Sequence, residues 1–294
     1  MKWLDEYKRS LKMVEVEEVL DMVLYRPLAF LFVKSILRTS ITPNQITVVS
    51  MLFGIAGAVA IGLGTAQAAL LAAALLVIYD VLDCSDGQLA RLKKNGTKAG
   101  RILDGVADYI VNVAMYFGIA IGYAWQSDNA LLWWLLTAAA GGSNMLHSIL
   151  VDYYRNRFLD VVLQRPGTFD DDLEDFRQEY ERLKAARQGA FDRLIIRVYL
   201  GYSRFQGGLT RGERAQEAIT NTSPERYLRA NRRVMQAWLL VGPTSQLTFV
   251  VIAALFHRFD LYLPLLVLVG NLWVLLVYLV QKRVDHSLTL EQQS

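Results

Sequence analysis

The sequence predicts an all-α polytopic membrane helix bundle. It has six transmembrane helices, an N-terminal interfacial amphipathic helix ahead of them and a helical cytosolic insertion before the last two. Three observations predict it. The chain of 294 residues is 53% hydrophobic and yet 20% charged, which alternating apolar and charged blocks explain and an ordinary soluble composition does not. Six blocks have the roughly 20 apolar residues that cross a hydrocarbon core about 30 Å thick. The basic residues collect in every second connection, the pattern of loops retained on the cytoplasmic side.

Residues 1–43 form the cytosolic N-terminus and the interfacial helix. The opening MKWLDEYKRSLKMVEVEEVLDMV is charged throughout and lacks an apolar h-region, so no cleavable signal peptide is expected. RPLAFLFVKSILR, from Arg26 to Arg38, is apolar apart from Arg26, Lys34 and Arg38. It reads as a helix lying in the headgroup region with its cations outward.

Residues 44–153 hold the first four spans, at about 44–63, 66–84, 102–124 and 129–150. Residues 234–294 hold the fifth and sixth, at about 234–256 and 260–280, and a C-terminal tail. The fifth is interrupted by Gly242-Pro243 and by Thr244, Ser245 and Gln246; such a break is tolerated where neighbours satisfy the freed backbone. Arg91, Lys93, Lys94, Lys98 and Arg101 lie between spans two and three, Arg155 and Arg157 after span four, Arg232 and Arg233 before span five, and Lys282 and Arg283 after span six. The opposite loops are short, with Arg258 as their one basic residue. Both termini and the stretch between spans two and three therefore face the cytoplasm.

Residues 154–233 are a polar insertion read as several short helices. Acid from Asp170 to Asp175 and base at Arg182, Lys184 and Arg187 suit the two ends of a helix dipole. TRGE at 210–213 matches a capping box, and SPER at 223–226 places Ser at an N-cap and Pro at N1. The bland reading, a solvated module with no catalytic part, is the favoured one. The net charge of +3 is small, so its placement matters more than its size, and no nucleic-acid partner is expected. The single cysteine, Cys84, excludes an internal disulfide and a multi-cysteine metal site.

Chemistry concentrates in YDVLDCSDGQLARLKKNGTKAGRILDGVADY, Tyr79 to Tyr109. Carboxylates this close to hydrocarbon are costly and point to function. Asp83 and Asp86 are spaced i, i+3, and Asp104 and Asp108 i, i+4, so each pair shares one helix face with Cβ atoms roughly 5–6 Å apart. A connection of about 15 residues, counted on the chain, lets the two helices lie antiparallel and the four carboxylates converge. Such a group repels itself unless cations neutralise it. Oxygen-only ligands favour Mg²⁺ or Mn²⁺, or Ca²⁺. Two such ions about 3.5–4 Å apart clamp phosphoryl chemistry. The competing structural reading is a set of helix caps and salt bridges to Arg91 and Lys98. It serves for any one aspartate and is weak for the whole pattern.

The stretch reads Asp83-x₂-Asp86-Gly87-x₂-Ala90-Arg91-x₈-Gly100-x₃-Asp104-x₃-Asp108. It resembles, position for position, the signature of the CDP-alcohol phosphotransferase family, class I. The likeness covers about 26–150 well and the last two spans loosely. It implies an enzyme of phospholipid or related polar-lipid biosynthesis. An alcohol attacks the phosphorus distal to cytidine in a CDP-linked donor, and CMP leaves. It implies that Asp83, Asp86 and Asp104 ligate two ions, Mg²⁺ or Mn²⁺, and that Asp108 ligates one and takes the hydroxyl proton. Gly87, Ala90 and Thr97 are implied at the nucleotide, Arg91 at phosphate, and Asn44 and Thr47 near the cytidine. Their plainer readings are a salt bridge for Arg91 and, at Thr47, a bond back to Pro43. Gly100 reads as a close helix contact. The implied partners are the CDP-linked donor and an alcohol acceptor, one of them lipidic, with membrane lipids around a homodimer.

Within the family, YRPLAFLFVKSILRTSITPNQITVVS is similar to members that join a CDP-linked polar alcohol to a lipid or inositol-type acceptor, including di-myo-inositol-phosphate-phosphate synthases. The alternative is a CDP-diacylglycerol-dependent phosphatidyltransferase to a soluble alcohol. Asn144 and His147 read as acceptor-pocket residues or as an interhelical hydrogen bond; His257, His286, Cys84 and Asp80 carry no assigned role. Three other classes compete. A membrane aspartate-rich prenyltransferase usually carries two such motifs, and FDDDLED at 169–175 has the wrong spacing. A cation transporter needs mid-membrane charges in several spans. A scaffold has no need of an intact motif.

Overall fold

The computed structural model describes residues 6, 7, 9–11, 13–164, 168–185, 193, 196, 197, 200, 201 and 223–290. Among the described residues every regular element is helical and none is a strand. A 3₁₀ turn (Val14–Val16) and a π-turn (Asp21–Tyr25) lead into α1 (Arg26–Ile36). Then come α2 (Pro43–Gly62), α3 (Ala66–Lys93), α4 (Lys98–Ala124) and α5 (Ala130–Val162). They are followed by α6 (Thr168–Ala185), α7 (Pro224–Leu239), α8 (Pro243–Leu255) and α9 (Phe259–Leu265). A second π-turn (Leu266–Gly270) runs into α10 (Asn271–Leu290).

Five helical stretches are long and apolar enough to cross a membrane: Pro43–Gly62, Ala66–Lys93, Gly100–Ala124, Pro224–Leu255 and Phe259–Thr289. The protein is a multi-pass integral membrane protein. The stretch expected as span four is helical within α5, but it is not among these five. Gly141, Gly142, Ser143, Asn144 and His147 dilute its apolar run.

Threonine caps set the starts of the helices that carry the motif. Thr42 and Gln45 form a reciprocal capping box on α2, with Pro43 at the first turn. Thr65 accepts from Ala68 N on α3, and Thr97 accepts from Gly100 N on α4. Each oxygen satisfies an amide that the helix leaves unpaired. The acidic connection is shorter than its composition suggests. α3 runs on to Lys93, where Lys94 turns left-handed with φ 54°, and α4 begins at Lys98. Gln88, Leu89, Arg91 and Lys93 are good helix formers, so the motif stays helical beyond its apolar run.

The chain comprises two compact units: residues 1–146 with 242–271, and residues 147–241 with 272–294. In the first, α2 packs along both α3 and α4, and α3 also packs against α1 and α8. Ala58, Leu76, Val111, Met115, Ile119 and Val250 lie in one buried cluster. Glycines let the backbones close. A Cβ at Gly54 would fall 2.6 Å from Val111 Cγ1, and one at Gly122 would fall 2.6 Å from the Ile61 carbonyl; small residues at such contacts replace the hydrophobic drive that lipid lacks. Val48, Leu52 and Val59 on α2 stay exposed, as a lipid-facing surface would be.

The interrupted fifth stretch is two helices, α7 and α8, separated at Leu240–Gly242. The orphaned amides of α8 are satisfied from far away in sequence. Glu18 accepts from Thr244 N (3.3 Å), Ser245 N (2.7 Å) and Ser245 Oγ (2.8 Å), a carboxylate at the positive end of a helix. Tyr25 bonds Thr248 at 3.1 Å, and burial pushes its phenol up to about 12, so it stays protonated at neutral pH.

In the second unit, Tyr154 stacks on Trp238 at 4.6 Å and Trp273 Nε1 donates to the Ala237 carbonyl. Arg157 donates to Asp285 at 2.9 Å, and Gln281 bridges Asn231 and Asp285. α7 starts with Ser223 at its N-cap and Pro224 at N1, and runs through 233/234, the expected end of the insertion. Its arginines made that half look soluble, although Tyr227, Asn231, Val234 and Trp238 are buried. α5 likewise runs through 153/154. α6 ends on Arg182 and Lys184, whereas Arg187 and the TRGE box at 210–213 lie outside the described residues.

Candidate active site

The acidic residues of the motif lie on the last three turns of α3 and the first turns of α4. Asp83, Asp104 and Asp108 each offer a carboxylate oxygen, and these atoms all lie within 4.8 Å of one another. All three are half-buried. Asp83 Oδ1 is buried and has no hydrogen-bond partner.

Asp86 is placed differently. It is 5% exposed and accepts a hydrogen bond from the Thr47 hydroxyl on α2. It lies close enough to Asp104 and Asp108 to feel their charge. The structure thus groups three of the four aspartates tightly and holds the fourth beside them on a threonine. Thr47 also reaches the Pro43 carbonyl at 3.2 Å, the local bond expected of it.

Asn44 is exposed at the start of α2. A Cβ at Gly100 would fall 2.6 Å from Asn44 Oδ1 and 3.0 Å from Thr97 Oγ1, so the missing side chain lets α4 begin against α2. The Thr97 hydroxyl accepts from Gly100 N at 2.9 Å, a capping role. Gly87 and Ala90 are half-buried. The Arg91 guanidinium lies over Gly87, 3.4 Å from where a Cβ would stand, and its Nε donates to the Ser10 carbonyl.

Asn144 donates to Asn112 Oδ1 at 3.1 Å, and Asn112 donates to the Asp108 carbonyl at 3.0 Å. Of the two readings of Asn144, the interhelical hydrogen bond is the one observed. His147 is buried, His257 half-buried and His286 exposed.

Two features escape sequence reading. Tyr79 OH, 4% exposed, donates to Asp108 Oδ1 at 2.6 Å; its position one turn before Asp83 is the only local signal. A second polar cluster joins the N-terminal segment to α3. Arg26 Nη2 meets Glu17 at 2.7 Å and Asp21 at 3.9 Å, Cys84 Sγ donates to Asp21 Oδ1 at 3.3 Å, and Gln88 Nε2 donates to the Arg26 carbonyl at 3.0 Å. Burial opposes the Arg26 charge, but Glu17 and Asp21 outweigh it and hold the guanidinium above its ordinary range.

Residues 40–159, which carry the whole motif, match the family model described as CDP-alcohol phosphatidyltransferase. Over 126 residues, 43% of the chain, it is 33% identical to the bifunctional IPC transferase and DIPP synthase of Thermococcus kodakarensis and covers 26% of that protein. Over 143 residues, 49% of the chain, it is 29% identical to the phosphatidylinositol phosphate synthase of Corynebacterium glutamicum and covers 57% of it. Over 89 residues, 30% of the chain, it is 34% identical to the archaetidylinositol phosphate synthase of Pyrococcus horikoshii and covers 46% of it. The CDP-alcohol phosphatidyltransferase family acts with divalent metals on a CDP-alcohol donor and an alcohol acceptor, and an acidic cluster lies inside the matched region.

Proposed function

We propose that this protein transfers a substituted phosphate from a CDP-linked donor to an alcohol and releases CMP. The observation that carries the reading is the meeting of Asp83, Asp104 and Asp108 within 4.8 Å, in a domain of the matching family.

The residues fit a divalent-metal centre. The donors are all oxygen, which suits Mg²⁺ or Mn²⁺, and Asp83 keeps a buried oxygen without a partner. Asp83, Asp86, Asp104 and Asp108 would hold two ions, which when bound neutralise the diphosphate. Thr47 fixes Asp86 by its hydrogen bond. The Tyr79 hydrogen bond holds Asp108 Oδ1 and so orients the carboxylate. Asp108 then takes the proton of the attacking hydroxyl as the new P–O bond forms and the bond to CMP breaks. A free carboxylate is a weak base at neutral pH, so positioning counts for more than basicity. Asn44 and Thr47, at the start of α2, with Gly87, Ala90, Arg91 and Thr97, would bound the nucleotide. Lack of a side chain at Gly87 leaves room beside the Arg91 guanidinium.

The donor is a CDP-linked polar alcohol and the acceptor a lipid or inositol-type alcohol. A second reading, CDP-diacylglycerol with an inositol phosphate, is favoured by the names of the Corynebacterium and Pyrococcus relatives. The spans would number six, with α5 as the fourth. Both termini and the acidic cluster would face the cytoplasm, as the basic loops require, with α1 in the headgroup layer and a second copy completing a homodimer. Four segments, 1–43, 44–153, 154–233 and 234–294, would divide the labour, with chemistry in the second.

A donor-by-acceptor panel on purified protein tests this. CMP release should need Mg²⁺ or Mn²⁺, stop on chelation and return on adding metal back. Absence of CMP from every donor, with the protein folded and metal present, would refute the assignment.

A further inference from the structure

We propose that Asp21, Asp80 and Cys84 form a second metal site, for a divalent ion of borderline softness such as Zn²⁺, separate from the oxygen-only cluster. Their ligand atoms all lie within 4.8 Å of one another, and all three residues are buried. Asp21 lies in the π-turn Asp21–Tyr25 and the other two lie one turn apart on α3, so an ion here would staple the N-terminal segment to the helix that carries Asp83 and Asp86.

The second observation is Asp80 itself. It is 5% exposed, and its Oδ2 has no hydrogen-bond partner. A buried carboxylate oxygen in that state needs a cation or a proton. Among the charged groups that bear on Asp80 are the carboxylates of Asp21, Glu18, Asp108 and Asp83 and the guanidinium of Arg26. Arg26 is shared between Glu17 at 2.7 Å and Asp21 at 3.9 Å, and Glu18 is committed to the amides of α8. Negative charge therefore remains in excess where Asp21 and Asp80 meet.

The chemistry of the donors selects the ion. A thiolate with two carboxylates suits Zn²⁺, which takes sulfur and oxygen ligands together. A hard ion such as Mg²⁺ prefers oxygen alone. On binding, the Cys84 thiol gives up the proton it now shares with Asp21, the proton passes to water and the sulfur bonds the metal. A π-turn is uncommon and recurs at functional sites; here it carries Asp21 into the cluster. The proposal does not depend on the transferase reading.

Cobalt is the probe. Tag-free full-length protein, stripped with chelator and held in excess Mg²⁺ to occupy the oxygen cluster, is titrated with Co²⁺. One equivalent should produce a thiolate-to-cobalt absorption band that Zn²⁺ bleaches. Cys84 is the only cysteine in the chain, so no other sulfur can give that band. Cys84→Ser should abolish it, Asp80→Asn should weaken Co²⁺ binding at least tenfold, and Asp83→Asn should leave the band in place. Folded wild-type protein that shows no band overturns the proposal and indicates a carboxyl pair sharing a proton. A band with unchanged affinity in Asp80→Asn overturns it too. Should Cys84→Ser not fold, the wild-type and Asp80→Asn titrations decide the matter.

Discussion

Two acidic clusters share one helix, and they are built to opposite ends. In one, Asp83 on α3 joins Asp104 and Asp108, and all three are half-buried. In the other, Asp80 and Cys84 join Asp21 out of solvent, beside the Arg26–Glu17 pair. The first ties two consecutive helices together; the second ties α3 to a segment about 60 residues earlier. Accessibility separates them. A carboxylate that handles a diphosphate must be reachable, whereas one that fixes a helix in place gains by exclusion of water, which strengthens its electrostatics.

Substitutions sharpen that contrast, and the largest effect belongs to the open cluster. Asp108→Asn or Asp83→Asn should lower CMP release on the order of 10²–10⁴-fold while the thermal midpoint holds; near-normal turnover in either would erase the distinction. Next comes the closed cluster. Glu17→Gln leaves the buried Arg26 charge without its 2.7 Å partner and should cost about 3–5 kcal/mol of stability, read by denaturation in detergent, with turnover per folded molecule kept. A loss of turnover without a loss of stability would place Arg26 in the chemistry instead.

Tyr79→Phe is a smaller and more pointed change. It removes the 2.6 Å bond to Asp108, and hydrogen bonds to charged groups contribute about 1.5–3 kcal/mol. Turnover should drop about tenfold or more, with KM for the donor little altered. An unchanged kcat would show that Asp108 needs no such anchor. Smallest is Thr42→Ala, which removes the α2 capping box at about 1 kcal/mol. It should lower the thermal midpoint slightly and leave both clusters intact, which a parallel CMP assay checks.

The all-helical architecture was legible because apolar length and charge alternation are local properties of the chain. The two places where reading fell short share a cause. Helix α3 continued to Lys93 because charged helix formers propagate a helix past its apolar run. Helix α7 crossed the expected boundary because its arginines mask an inward face of Tyr227, Val234 and Trp238. The motif announced four aspartates but not their unequal placement, since Asp86 is turned toward a threonine 39 residues away.

The sequence by itself determined the family signature and the helix faces that carry it, because spacing within one helix fixes which side chains align. Only the tertiary structure decided which oxygens meet, that Tyr79 holds Asp108, that Glu18 closes the end of α8, and that Asp21 comes to rest against Asp80 and Cys84. Those pairings depend on how separate helices pack against one another, and no local pattern in a chain encodes a distance between elements that are far apart along it.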